Sequence, residues 1–243
     1  MQNRPHLLGV LAGLFLAAGL VFASFVVTRT WQRVAESQAI SVSGSARRLV
    51  KSDLIVWTGS FAAEAKTLLA AQQALKADLA KVENFLREQS VTNYQVGPIH
   101  IQELRQRGRD DDGARLVGYS LNQQVTVTSP EVERVAALEQ QTAKLVEQGV
   151  QFTTMPPRFI YTKAGEAKIE MLAEATKDAR ARAEQIASQG GRTVKELRAA
   201  KMGVFQITPL YSGRASSNWE GENDMSSLEK NISAVVNATF SMN

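Results

Sequence analysis

Ala39–Val50 reads AISVSGSARRLV. Ile40 and Val42 alternate with Ser41 and Ser43, the two-residue period of a strand with one wet face. A helix would instead repeat its apolar residues every three or four positions. The next apolar run, Leu54–Phe61 (LIVWTGSF), is rich in β-branched and aromatic residues and reads as a second strand. The body of the protein therefore opens on sheet.

Toward the C-terminus the period changes. In Glu64–Gln89, Leu68, Leu75, Leu79, Val82 and Leu86 recur on one helical face. A strand at Val96–Leu104 follows, opened by Gly97-Pro98. Arg105–Arg115, RQRGRDDDGAR, reads as a hairpin loop of mixed charge leading into a long strand, Leu116–Thr128, in which Leu121, Val125 and Val127 alternate. Ser129-Pro130-Glu131 has the form of a helix start, with Ser as cap, Pro at the first helical position and Glu at the positive dipole end. Val132, Val135, Leu138, Leu145 and Val146 make the apolar face of that helix and Gly149 stops it. Phe152–Thr162, interrupted by Pro156-Pro157, holds the next strand. Lys168–Ser188 is an Ala-rich helix ended by Gly190-Gly191. Val194–Thr208 is a strand, Leu210–Ser227 a loop, and Asn231–Met242 (NISAVVNATFSM) a closing strand.

Two strand–helix–strand runs, 54–104 and 121–162, echo one another in order and size. Their helices end alike, in Glu88-Gln89-Ser90-Val91 and Glu147-Gln148-Gly149-Val150. The pattern predicts an α+β fold, antiparallel sheet with about three helices packed on one face, and two strand–helix–strand lobes within residues 39–243.

Toward the N-terminus, Leu7–Val27 (LLGVLAGLFLAAGLVFASFVV) carries no charge. A helix of that length rises about 30 Å, the thickness of a bilayer's hydrocarbon. Signal-peptide cores are shorter, and the apolar run continues past the small-x-small site at Val21-Phe22-Ala23. Trp31, with Arg29 and Arg33, sits where an interfacial aromatic would. The expectation is a signal anchor: a cytoplasmic tail at 1–6, a transmembrane helix at 7–27, a polar linker at 28–38 and a domain at 39–243. Cleavage near Ala23 is the alternative.

The 243 residues carry a formal charge of +4 without a long basic run, which gives no footprint for a nucleic-acid partner. There is no cysteine, so disulfides, thiolate metal sites and Cys nucleophiles are excluded. The two histidines are His6, at the membrane edge, and His100, on a strand with no G-x-S-x-G context near it. No H-E-x-x-H, Walker or dinucleotide glycine pattern occurs. Asp110, Asp111 and Asp112 are consecutive, whereas a calcium loop alternates its ligands. Asn231-Ile232-Ser233 and Asn237-Ala238-Thr239 match the glycosylation pattern, which coincides with strand alternation. Met202, Phe205 and Tyr211 read as packing residues. The sequence thus nominates no catalytic, cofactor-binding or metal-binding residue.

Ile40-Ser41-Val42-Ser43-Gly44, leading to Asp53-Leu54-Ile55-Val56, resembles the opening of the SIMPL-domain family of bacterial envelope proteins. Ala175–Ala187 (ATKDARARAEQIA), followed by Gly190-Gly191, resembles that family's Ala/Arg-rich helix and glycine stop. Gly203–Ile207 and Ile232–Met242 fit as well. The resemblance implies an α+β domain facing the periplasm or cell exterior, assembly into large rings, a role in envelope integrity or stress tolerance, and no catalytic residues; no cofactor is expected. The expected partners are the membrane, through the N-terminal helix, and further copies of the chain. A binding module for a small envelope ligand and a carboxylate hydrolase are the alternatives.

Overall fold

The computed structural model describes residues 5–35, 39–107, 114–211 and 223–243. Helix α1 (Pro5–Ala35) is 31 residues long. It continues through most of the stretch read as a polar linker, because nothing from Thr28 to Ala35 breaks a helix: Thr28 and Thr30 turn their hydroxyls back onto the carbonyls of Ser24 and Val26. Within α1, Gly13–Thr30 is long and apolar enough to cross a membrane, and length and composition qualify it equally as an anchor and as a signal sequence.

The strands are β1 (Ala39–Lys51), β2 (Leu54–Ala65), β3 (Tyr94–Val96), β4 (His100–Arg107), β5 (Ala114–Ser129), β6 (Gln151–Ile160), β7 (Val194–Pro209) and β8 (Glu229–Met242). They form a three-stranded sheet, β1-β8-β7, and a five-stranded one, β3-β5-β2-β6, with β4 also paired to β5. Every pair in the larger sheet is antiparallel. In the smaller sheet Ser41 meets Thr239 and Ser43 meets Asn237, so β1 and β8 also run antiparallel. The fold is α+β, as the alternation predicts.

The chain divides into two compact units: Met1–Ala46 with Met171–Val204 and Ala234–Asn243, and Arg47–Glu170 with Phe205–Ser233. In the second unit the echoing runs interleave. β2 and β5 pair at the centre; α2 (Leu68–Glu88) carries the chain from β2 to β3 beside β5, and a second helical segment carries it from β5 to β6 beside β2. This is the β-α-β-β-α-β order of split β-α-β folds. Odd-numbered residues of β2 and β5 (Ile55, Trp57, Phe61, Ala63; Leu121, Val125, Val127) meet Leu75, Val82, Phe85 and Leu86 of α2 in one core. Phe85 belongs to that face, whereas Leu68, in the first turn, is 41% exposed. The predicted Pro130–Gln148 helix is three short pieces, α3 (Val132–Ala136), α4 (Leu138–Gln141) and α5 (Ala143–Glu147). Ala137 and Thr142 at the joints stay right-handed but with shallow ψ, and the Thr142 hydroxyl bonds the Glu139 carbonyl. Pro130 lies ahead of the helix rather than inside it. Ser129 still serves the entry, accepting from the Glu131 N–H. Val132, Val135, Leu138 and Leu145 are buried; Val146 is exposed.

The matching tetrapeptides are one device used twice. Ser90 and Gly149 both have left-handed backbone, φ 57° and 81°. Val91 N–H then reaches the Leu86 carbonyl and Val150 N–H the Leu145 carbonyl, each at about the distance of a good hydrogen bond, closing the helix end as a Schellman motif. α6 (Ala164–Gln189) ends the same way, through Gly191 at φ 66° and the bond from Arg192 N–H to the Ala187 carbonyl. The glycine pair is thus a helix stop.

In the first unit, α6 buries Met171, Ala175, Ala179, Ala183 and Ala187, each four residues from the next. This row of short side chains lets the helix backbone come down on β1 at Gly44. A Cβ placed there would stand 2.1 Å from the Ala175 carbonyl oxygen and 2.4 Å from the Ala179 nitrogen.

Gly44→Ala is therefore expected to lower stability by about 3 kcal/mol or more, since a backbone atom and not a side chain must give way; urea unfolding measures it. Ser90→Gly should raise stability by about 1 kcal/mol, because it relieves a left-handed residue that has a Cβ, and Gly149→Ala should lower it by a similar amount.

Candidate functional site

Strand alternation puts one charged residue where the core should be. Along β8 the buried positions run Lys230, Ile232, Ala234, Val236, Ala238, Phe240. A lysine stem can follow apolar neighbours, but its ammonium needs a partner when water is removed. Here the partner comes from the segment just upstream. Lys230 Nζ donates to the Asp224 backbone carbonyl and, at 3.2 Å, to Asp224 Oδ2. The two side chains are 0% and 5% exposed.

Asp224 is saturated from several sides. Oδ1 accepts from the Ser226 N–H at 2.8 Å and the Ser226 hydroxyl at 2.7 Å; Oδ2 also accepts from the Ser227 N–H at 3.2 Å. Burial by itself would raise the Asp224 carboxyl pKa. The hydrogen bonds from Ser226, Ser227 and Lys230 outweigh it and bring the value down to about 2. The segment is further tied by Asp224 N–H to the Ile207 carbonyl on β7 and by Ser52 N–H to the Leu228 carbonyl.

Asp53, next to Ser52, anchors the other side of the β1–β2 turn. Its carboxylate accepts the Thr162 N–H at 2.8 Å and the Thr162 hydroxyl at 2.7 Å, just before α6 begins. Burial pushes its pKa up, and the Thr162 bonds pull it below the usual carboxylate value. The turn is thus pinned to 223–228 through Ser52, whose N–H and hydroxyl donate to the Leu228 and Ser227 carbonyls, and to 160–162 through Asp53. All the contacts of Asp224 are internal, so the cluster acts as a clamp. A general base would need a lone pair reaching a substrate.

Beside the clamp lies a cavity of about 260 Å³ lined by Leu49, Val50, Lys51, Leu210, Glu229 and Lys230. Another open groove, bounded by Lys51, Ser52 and Pro130 to Arg134, is crossed by the ion pair between Lys51 and Glu133. His100 stands exposed on β4 opposite Asn122. Asp110–Asp112 and the side chain of His6 lie outside the described residues. Among the described residues no three His, Asp or Glu side chains converge. Met202 and Tyr211, expected to pack, are 50% and 93% exposed; Phe205 is half-buried with the Lys168 ammonium 5.6 Å from its ring centroid. The Asp224–Lys230 pair is absent from the sequence reading, although the phase of EKNISAVVNATF already sets Lys230 with the buried residues.

Residues 40–240 match the SIMPL family, described as a protein of unknown function (DUF541). The chain belongs to the SIMPL family. No curated protein matches it. The match spans both sheets and every helix after α1, so the clamp, the Gly44 contact and the three helix stops all lie within the SIMPL domain.

The pH dependence of the clamp follows from its depressed carboxylate. The stabilisation is fully present above the unfolded value near 4 and is lost as pH falls through the folded value of about 2. Across that window the domain should lose about 2 kcal/mol from this group, and Asp224→Asn should flatten that part of the profile. At neutral pH Asp224→Asn should cost about 3 kcal/mol, with Lys230→Met added on top recovering most of it. Urea unfolding followed by fluorescence of the buried Trp57 checks both.

Proposed function

We propose that this SIMPL protein is anchored in a bacterial inner membrane by α1, holds its domain in the periplasm, catalyses no reaction and works by self-association, with a general role in envelope integrity or stress tolerance. The observation that carries the reading is the state of β7. It is the last strand of its sheet, and Lys195–Met202 are exposed at every position, including Leu197 and Met202 at 46% and 50%. An edge strand with free backbone groups is a template for another chain. The opposite edge is guarded: the Ser45 N–H of β1 is taken by Asp178 Oδ2 at 2.7 Å. That bond, first, and the Arg182 guanidinium, second, hold the Asp178 carboxyl below its usual value despite partial burial.

A membrane tether supports the same reading. Confining copies to a surface raises their effective concentration, so a weak edge contact becomes effective. The small number of charges in Gly13–Thr30 and the length of α1 suit an anchor that stays in place.

Native mass spectrometry of the full-length protein, released gently from its membrane, tests the proposal. A discrete multimer of uncleaved protomers is expected. A monomer would remove self-association, and protomers starting near Ser24 would remove the anchor.

A further inference from the structure

We infer that two copies of this protein join edge to edge through β7, antiparallel about a two-fold axis at Leu197, so that the β1-β8-β7 sheet continues into its mate. This deepens the self-association reading and depends on it.

The direction of the backbone groups comes first. Glu196 turns both its N–H and its C=O toward β8, where the Ser241 hydroxyl meets them at 3.2 and 3.3 Å. In an extended strand, successive residues point their backbone groups to opposite sides. Leu197 and Ala199 therefore aim theirs outward, whereas at the start of β7 the Thr193 carbonyl turns toward the end of β8 and takes the Asn243 N–H. Further along β7, the Ile207 carbonyl takes the Asp224 N–H and Ile207 bridges Asn223. That contact covers the far end of the edge and leaves the Lys195–Met202 end open.

Symmetry then restricts the register. A two-fold axis normal to a sheet maps residue 197+n onto 197−n of the mate when it passes through Leu197. Leu197 then meets Leu197, Glu196 meets Arg198, Arg198 meets Glu196, and Lys195 meets Ala199. An apolar pair is flanked on each side by opposite charges directly across the strands, the arrangement that favours pairing. Among the described residues neither Glu196 nor Arg198 has an ion-pair partner within its own chain. Moving the axis one residue either way opposes like charges: Glu196 against itself, or Arg198 against itself with Lys195 against Lys201. Only outward-pointing residues can exchange both backbone hydrogen bonds on the axis, and Leu197 is one of them. Such a contact is isologous and closes at two copies; a larger ring would need a second surface.

The absence of cysteine from the chain makes the test direct. Single substitutions Leu197→Cys, Ala199→Cys and Lys201→Cys are placed in the full-length protein in lipid vesicles and oxidised mildly. On the axis the two Cα atoms stand about 5.5 Å apart, within reach of a disulfide. At 199 and 201 the symmetry mates are offset by about 13 and 26 Å along the strand, beyond it. A cross-linked dimer is expected at 197, at least about tenfold above the other two positions. As a second reading, Glu196→Arg should raise the dimer dissociation constant by about tenfold, by opposing arginines twice, and adding Arg198→Glu should restore it. Cross-linking that peaks elsewhere, or an unchanged dissociation constant in Glu196→Arg, overturns the β7 axis while a multimer in native mass spectrometry leaves self-association standing. A monomeric unsubstituted protein overturns both.

Discussion

Backbone against backbone at Gly44 is the constraint on which the first unit rests. α6 meets β1 with no side chain between them at that point, and it can do so only because its buried face is almost entirely alanine. Met171 is the single larger member of the row. Packing of this kind contributes modest apolar area but a close, well-defined fit, and it fixes the height and rotation of the helix together. Asp178 follows from that fit. With α6 pressed onto Gly44, the carboxylate one residue before Ala179 comes within reach of the Ser45 N–H. The same contact that seats the helix also blunts a sheet edge.

In the second unit the equivalent role falls to large side chains. Trp57 and Phe152 stack with ring centroids 6.0 Å apart, and the Phe152 ring also fills the space over Gly59, where a Cβ would lie 2.2 Å from it. Aromatic bulk closes this core, and a row of small residues closes the other unit. Enlarging a residue is costly at Gly44 or along the alanine row; truncating one is costly at Trp57 or Phe152.

Much of the fold was legible in the residues because local periods were clean. The strands at Ile40, Leu54 and Asn231, the long helix at Leu75–Leu86 and the glycine stops all follow from patterns that tertiary contacts reinforce. The misreadings have physical causes. Ser129-Pro130 carries every mark of a helix start, yet the helix begins later and breaks at Ala137 and Thr142, because burying Val135 and Leu138 against β2 and β5 decides its course more than capping does. Leu68 and Val146 fit a helical face by spacing but lie near the helix ends, where the core has already curved away. The clamp was the least legible feature. Asp224 and Lys230 are six residues apart in a stretch that looks like polar loop running into strand, and only the phase of β8 shows that the lysine must point inward. Nothing local announces the bonds to Ser52, Ile207 and Leu228, which come from segments far apart in the chain.

The tandem prolines of β6 shape the edge on which they lie. β6 ends the five-stranded sheet, and its register with β2 slips where Val56 pairs Arg158 but Thr58 pairs Met155, so the extra residue falls at Pro156-Pro157. Neither proline has an N–H to offer, and the bulge bends the strand out of line with any newcomer. A polypeptide laid along β6 would find the hydrogen-bonding rail interrupted at the prolines, which makes this edge a poor seed for fibres.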